Sequence, residues 1–274
     1  MLDSALMPIA APSRAELAAA APRTIREHIR AGRWRGHTKG LAVGFHQANL
    51  IVVPHANAFD FMRFCQRNAA AFPLIHVTDP GDPSLDAVAE GGDVRTDIGC
   101  YDVYENGEFS GSVTHLNDLW RADHVAFLTG CAISLERPLR EAGILLPQAA
   151  GDEGPSPMFM TRIACKPAGV FAGPLVVGLR IVPDRYVVPM TAVTARHPDC
   201  HGAPVHIGDP AGIIDRFDTP DWGTPRSVPA GHTAMFWACG MTAQAAAMKA
   251  RLPELITQSV GHMLVTDLPV TVGR

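Results

Sequence analysis

The chain has 274 residues, 47% of them hydrophobic and 18% charged, which is enough apolar material for a substantial core in one large domain or two intertwined ones. Formal net charge is −4 and like charges do not run together, which argues against nucleic acid or an anionic membrane surface as partner. Apolar runs such as residues 50 to 53 and 175 to 179 are too short to cross a bilayer, and no secretory h-region opens the chain, so a soluble cytoplasmic protein is expected.

Ser13 and Glu16 have the spacing of a capping box, and the Ala-rich segment to about Ile29 reads as a helix interrupted near Pro22. It suits a covering element or the contact surface of a homo-oligomer. Gly44-Phe-His-Gln-Ala-Asn-Leu50 reads as a loop before a short buried strand ended by Pro54, which places Gln47 and Asn49 at the strand's entrance. Asn57 is a candidate N-cap for a helix carrying Phe61, Phe64 and Cys65 on one face. Residues 74 to 77 form a second strand that runs into Thr78-Asp-Pro-Gly-Asp-Pro83, a turn presenting Asp79 and Asp82. Asp93-Val-Arg-Thr-Asp97 sets Arg95 between two acids, and Asn106-Gly107 marks a two-residue hairpin.

Residues 120 to 140 read as two helices broken at Thr129-Gly-Cys131, with Glu136 and Arg140 as an i,i+4 pair. Gly151 to Pro157 reads as a linker dividing an N-terminal α/β part, residues 1–150, from a C-terminal α/β part, residues 158–274. Residues 175 to 179 suit a strand, whereas residues 187 to 194 fit strand or helix equally. Met235-Phe-Trp-Ala-Cys-Gly240 followed by an Ala-rich segment from Thr242 reads as strand, sharp turn and helix, and Gly261-His-Met-Leu-Val-Thr-Asp267 as a final strand.

His201-Gly-Ala-Pro-Val-His-Ile-Gly-Asp-Pro210 concentrates the chemistry, with two imidazoles and a carboxylate around a short strand and a turn. Read plainly it is a turn whose Asp209 bonds its own backbone. Read for function, His201, His206 and Asp209 are acid/base groups tunable to neutral pH, or, in an alternative, the ligands of a metal-dependent hydrolase. Arg95 and Arg162 can clamp a carboxylate. Cys239 stands at a strand-to-helix turn as a pocket wall or nucleophile, with His262 as one histidine that could serve it. The six cysteines (Cys65, Cys100, Cys131, Cys165, Cys200 and Cys239) stand singly, without a C-x-x-C pair. No G-x-G-x-x-G after a strand, no Walker lysine and no G-x-S-x-G occurs, so neither a nucleotide cofactor nor a serine nucleophile is expected.

Gln47-Ala-Asn-Leu50, Phe64-Cys-Gln-Arg-Asn68, Thr78-Asp-Pro-Gly-Asp-Pro83, Arg95-Thr-Asp97, the 201–210 decapeptide, Phe236-Trp-Ala-Cys-Gly240 and Gly261-His-Met-Leu-Val-Thr-Asp267 occur in the order of a known family. Over about residues 40 to 267 the chain resembles the hydro-lyase family related to D-glutamate cyclase. The resemblance implies an α/β protein, mixed sheets flanked by helices with a second intertwined smaller α/β domain, and a lyase that eliminates water. The acids at strand ends and the histidines beside them suit acid/base chemistry without a cofactor or metal. In the D-glutamate cyclase relatives, D-glutamate closes to 5-oxo-D-proline. Where the family pattern reads Met-Tyr-Lys-Thr-Asn-Ile-Pro-Cys, this chain has Met158-Phe-Met-Thr-Arg-Ile-Ala-Cys165, so Met160 and Arg162 replace a lysine and an asparagine. The segment before Gln47 also lacks the family's proline.

The expectation is therefore an acid/base lyase for a small carboxylate. His201, His206 and Asp209 would be catalytic, and Gln47, Asn49, Asp79, Asp82, Arg95, Arg162, Cys239, Gly240 and His262 would line the substrate site. A non-catalytic carboxylate-binding protein on the same scaffold is the alternative from another class.

Overall fold

A computed structural model describes residues 11–145 and 156–271. In chain order they form α1 (Arg14–Ala18), α2 (Pro22–Arg30), β1 (Phe45–Pro54), α3 (His55–Arg67), β2 (Leu74–Val77), β3 (Tyr101–Glu105), β4 (Glu108–Val113), β5 (His124–Gly130) and α4 (Glu136–Glu141). Then follow β6 (Met158–Ala164), β7 (Pro174–Pro183), α5 (Val187–Ala195), β8 (His206–Ile207), β9 (His232–Ala238), α6 (Met241–Ala250), β10 (Glu254–Gln258) and β11 (Leu264–Pro269). This is the expected α/β class, with two sheets flanked by helices.

The larger sheet runs β2-β5-β1-β10-β3-β4, with β11 also on β1, and the smaller runs β6-β7-β9-β8. Every pairing in both is antiparallel. After building the smaller sheet the chain returns, and β10 and β11 complete the larger one beside β1. Of the expected linker at 151 to 157, residues 151–155 lie outside those described. No helix among the described residues is long and apolar enough to cross a membrane.

Strand β1 is the axis of the molecule. It has neighbours on both edges, and nine of its ten positions are buried. Its even residues Ala48, Leu50 and Val52 enter a core with Tyr101, Ile256 and Leu264, while odd residues Ile51 and Val53 face Phe61, Phe64, Phe127 and Phe171. Phe61 meets Phe127 edge to face at 4.9 Å between centroids, the arrangement aromatic quadrupoles prefer. On that second face the alanines 243, 246 and 247 of α6 let the helix lie close to the sheet. Since α6 begins directly after β9, it joins the two sheets.

Two elements depart from the sequence reading. β1 begins at Phe45, so Gln47 and Asn49 sit inside a buried strand and not at its entrance; backbone carbonyls and Gln258 supply the partners that make this tolerable. Residues 124 to 130, expected as the end of one helix and the break after it, are strand β5, all seven positions buried, because β1 pairs along its whole length. Residues 187 to 195 resolve as helix, and the Ser13/Glu16 capping box and the Asn106-Gly107 hairpin are present.

Candidate active site

Asn49 shares the odd face of β1 and points toward the start of α6. Its Nδ2 donates to the Gly130 carbonyl at 3.0 Å, and its Oδ1 accepts from Gln258 Nε2 at 2.9 Å, so the amide is fixed in one orientation. Gly240 comes down on it so closely that a Cβ there would stand 2.8 Å from Asn49 Nδ2. Around this contact, Thr257, Met241 and Gln244 line a cleft of about 10 Å³. That is the room of one water, so a larger ligand enters only if the layers part.

The Asn49 side chain also hydrogen-bonds Cys131. Burial pushes the Cys131 thiol up, against N–H groups of Ile133 and Ala132, the Arg180 charge and Asn49, which pull it down. From the smaller sheet come Arg180 on β7 and Cys239 after β9. Cys131, Arg180 and Cys239 are each half-buried where the two sheets meet: Arg180 of β7 reaches the Ala132 carbonyl just after β5, and Gly240 meets Asn49, so that a crevice runs between the layers here. Burial pushes the Cys239 thiol up to about 12, and its Sγ rests 3.6 Å from Met158 Sδ.

Arg180 is the conspicuous group. Its Nη2 donates to the Ala132 carbonyl at 2.9 Å, and its guanidinium carbon lies 5.6 Å from the centre of the Trp237 ring. Among the described residues no carboxylate pairs with it; the charge of Glu136 is felt at a distance, and that side chain is held by Arg140 at 3.0 Å. Burial lowers the Arg180 pKa, but a guanidinium stays charged in proteins. His201 lies within electrostatic reach of it. It is buried, its Nδ1 is 2.8 Å from the Ala70 carbonyl, and burial brings its pKa down to about 4. With Nδ1–H donated, the neutral ring carries its lone pair on Nε2.

The residues singled out from sequence fall in several places. Asn49, Cys239 and Gly240 meet at the crevice, with His201 near Arg180. Gln47 is buried further along β1, donating to the Thr38 and Leu41 carbonyls, each at 2.9 Å. His206 and Asp209 form a local turn on the edge strand β8: His206 Nε2 is 2.7 Å from the Asp209 carbonyl, and exposed Asp209 accepts from the Ala211 N–H at 3.0 Å. Arg162 belongs to this outer neighbourhood, 2.6 Å from both Asp215 and the Ala211 carbonyl, with Met160 also exposed. His262 stands edge-on to His37 at 5.3 Å, its pKa lowered by burial and by that neighbour. The metal alternative therefore needs correction. His201, His206 and Asp209 each bond a separate backbone group, and they do not form a ligand group among the described residues.

Asp82 and Arg95 line a different space, an open groove of about 520 Å³ with Arg30, Asp86 and Asp93; Asp79, exposed, precedes Asp82 in its turn. It is the larger volume but the poorer carboxylate site. Arg95 is spent on Asp93 at 2.6 Å and Arg30 on Asp97 at 2.7 Å, which leaves the remaining acids to repel an anion. The crevice has the opposite electrostatics, a cation without a paired acid.

Arg180 was missed in the sequence, although a single charge inside the run Leu175-Val-Val-Gly-Leu-Arg-Ile-Val182 is a usable signal. Comparison with known proteins bears on the same region. The family described as D-glutamate cyclase matches residues 125–267, which hold every crevice residue named above except Asn49, and none of the outer groove. A protein of Dinoroseobacter shibae named "Putative hydro-lyase" is 46% identical over 246 residues, covering 89% of this chain and 82% of its own. Relatives from Thermoanaerobacter sp. (46% identical, 90% of this chain and 93% of theirs) and Verminephrobacter eiseniae (47%, 90% and 90%) bear the same name. A solved nitrogen repressor-like protein from Methanococcus jannaschii aligns at a TM-score of 0.38 and 10% identity, covering 86% of this chain and 91% of its own, too distant to carry any argument. With relatives of this identity along most of its length, the chain belongs to the D-glutamate cyclase family of hydro-lyases.

Proposed function

We propose that this lyase eliminates water from a small carboxylate or amino acid in the crevice between the two sheets, with closure of D-glutamate to 5-oxo-D-proline as the reaction that fits best. The observation that carries the reading is Arg180, a charged side chain inside the crevice whose protein partners are one carbonyl and one indole face. A substrate carboxylate supplies the missing charge through bidentate hydrogen bonds.

For the cyclisation, Arg180 holds the α-carboxylate while the layers bring the amine against the distal carboxyl carbon. His201 Nε2 takes a proton from the ammonium, and the freed nitrogen attacks. As the C–N bond forms, charge collects on the carboxyl oxygens, which meet the N–H groups at the Gly240 turn. One C–O bond then breaks. Both protons lost by the nitrogen end on the departing oxygen, so water leaves, and the histidine has only to shuttle them. The ring is neutral at pH 7 and so can receive a proton, which the adjacent departing oxygen then takes from it.

The test is incubation of the purified protein with D-glutamate and a broad panel of other small hydroxy and amino carboxylates, following water loss by NMR. Turnover of at least one member, abolished in folded Arg180→Gln, is the expected result. No turnover of any would overturn the reading.

A further inference from the structure

The turn after α5 carries His197-Pro-Asp-Cys200 and folds against β1, so that His46 comes between the side chains of Asp199 and Cys200. His46 Nε2 lies 3.1 Å from Asp199 Oδ2, and His46 Nδ1 lies 3.6 Å from Cys200 Sγ. One ligand atom from each of the three falls within 4.8 Å of the other two, and no other trio of such side chains does so among the described residues. Imidazole, carboxylate and thiolate are the donors zinc takes. With Zn–S about 2.3 Å and Zn–N about 2.0 Å, the sulfur–nitrogen edge of a tetrahedral site is about 3.5 Å. The spacing here is already that of a metal edge.

A second observation points the same way. Two polar atoms in this neighbourhood are buried without a hydrogen-bond partner, Asp199 Oδ1 and His197 Nδ1. His197 is 2% exposed and lies within electrostatic reach of both Asp199 and His46. Its other ring nitrogen bonds the backbone of Thr271, so the neutral ring keeps its lone pair on the unpartnered Nδ1. Within the trio itself, Asp199 keeps a buried carboxylate oxygen without a hydrogen-bond partner.

We propose that His46, Asp199 and Cys200 bind one zinc ion. Cys200 ligates as thiolate, its proton passing to solvent, and His46 binds through one ring nitrogen. With three protein ligands the site leaves its fourth position to water. It pins the 197–201 turn to β1, next to the place where the Asp199 carbonyl packs on Gly130 of β5 too closely for any Cβ on that glycine. The ion thereby braces the wall of the crevice, and the proposal stands whether or not the elimination does.

The test uses full-length protein purified through a tag that needs no immobilised metal, with total metal measured by plasma mass spectrometry and zinc affinity by chelator competition. One zinc per chain is expected, with affinity at least about tenfold weaker in Cys200→Ser and in Asp199→Asn, and unchanged in His206→Ala. Should Cys200→Ser fail to fold, stripped wild-type protein gives the second readout, a melting temperature raised by zinc and not by magnesium. Protein without zinc that shows no such rise, or folded Asp199→Asn that binds as tightly as wild type, would overturn the proposal and leave a hydrogen-bonded Cys–His–Asp cluster.

Discussion

Gly240 and Asn49 touch so closely that glycine is the one residue the contact admits: a Cβ would lie 2.8 Å from the Asn49 amide nitrogen. The φ of Gly240 is −57°, so the requirement is space and not backbone freedom. Gly240→Ala should push the β9–α6 turn off β1, costing about 1 to 3 kcal/mol as overpacking does. It should also lower turnover far more than that loss of stability explains. Thermal unfolding and turnover on the same sample separate the two effects.

Arg26, 1% exposed, ties the N-terminal helix to the last strand. It bonds both oxygens of Asp267, at 3.0 and 2.9 Å, and stands 3.8 Å from buried Asp97. Arg26→Ala leaves Asp97 with Arg30 alone and should cost about 3 to 5 kcal/mol, measured by denaturant unfolding.

The same contact has a pH signature. Burial pushes the Asp267 carboxyl up, but the hydrogen bond from Arg26, the Glu90 N–H and the charges of Arg26 and Arg23 outweigh it and hold the group below its ordinary value. Because the folded pKa is the depressed one, the stabilisation is complete above the unfolded value of about 3.9 and is lost as pH falls through the folded pKa. Unfolding free energies of wild type and Asp267→Asn, measured from pH 6 downward, should converge in acid. A gap that stays constant would show that the charge contributes nothing.

How much of this was legible in the sequence depended on where each residue finds its partners. The hairpin at Asn106-Gly107 and the Ser13 cap are local, and they were readable because the whole interaction lies within a few residues. Strand β1 was read too short because Gln47 and Asn49 look like loop residues until Gly130 and Gln258, far along the chain, are seen to satisfy them. The run His124-Val-Ala-Phe-Leu128 fits helix or strand by pattern alone, and only the register with β1 decides. The 201–210 stretch drew attention to His201, but periodicity could not show that Ala70 fixes its ring while His206 and Asp209 close a turn on the far edge of the other sheet.

That separation yields a prediction for Asp209. As the cap of a short turn on the outer edge, Asp209→Ala should cost about 1 kcal/mol and leave turnover near wild type. A collapse of turnover in the folded variant would return the chemistry to the outer turn.

Cys239, with its thiol pushed up to about 12 by burial, should alkylate slowly at neutral pH. Cys239→Ala should cost about 1 to 2 kcal/mol and keep turnover within roughly tenfold, since cyclisation has its nucleophile in the substrate amine. A rate collapse with stability unchanged would make this a thiol enzyme.

Arg180 tests the account most directly. With a turned-over carboxylate in hand, Arg180→Lys should keep a charge but lose the bidentate grip, giving a raised KM and a reduced kcat, while Arg180→Gln should abolish turnover with the fold intact by circular dichroism. An Arg180→Gln variant that turns over the substrate with wild-type kcat and KM would contradict the assignment of the crevice as the active site.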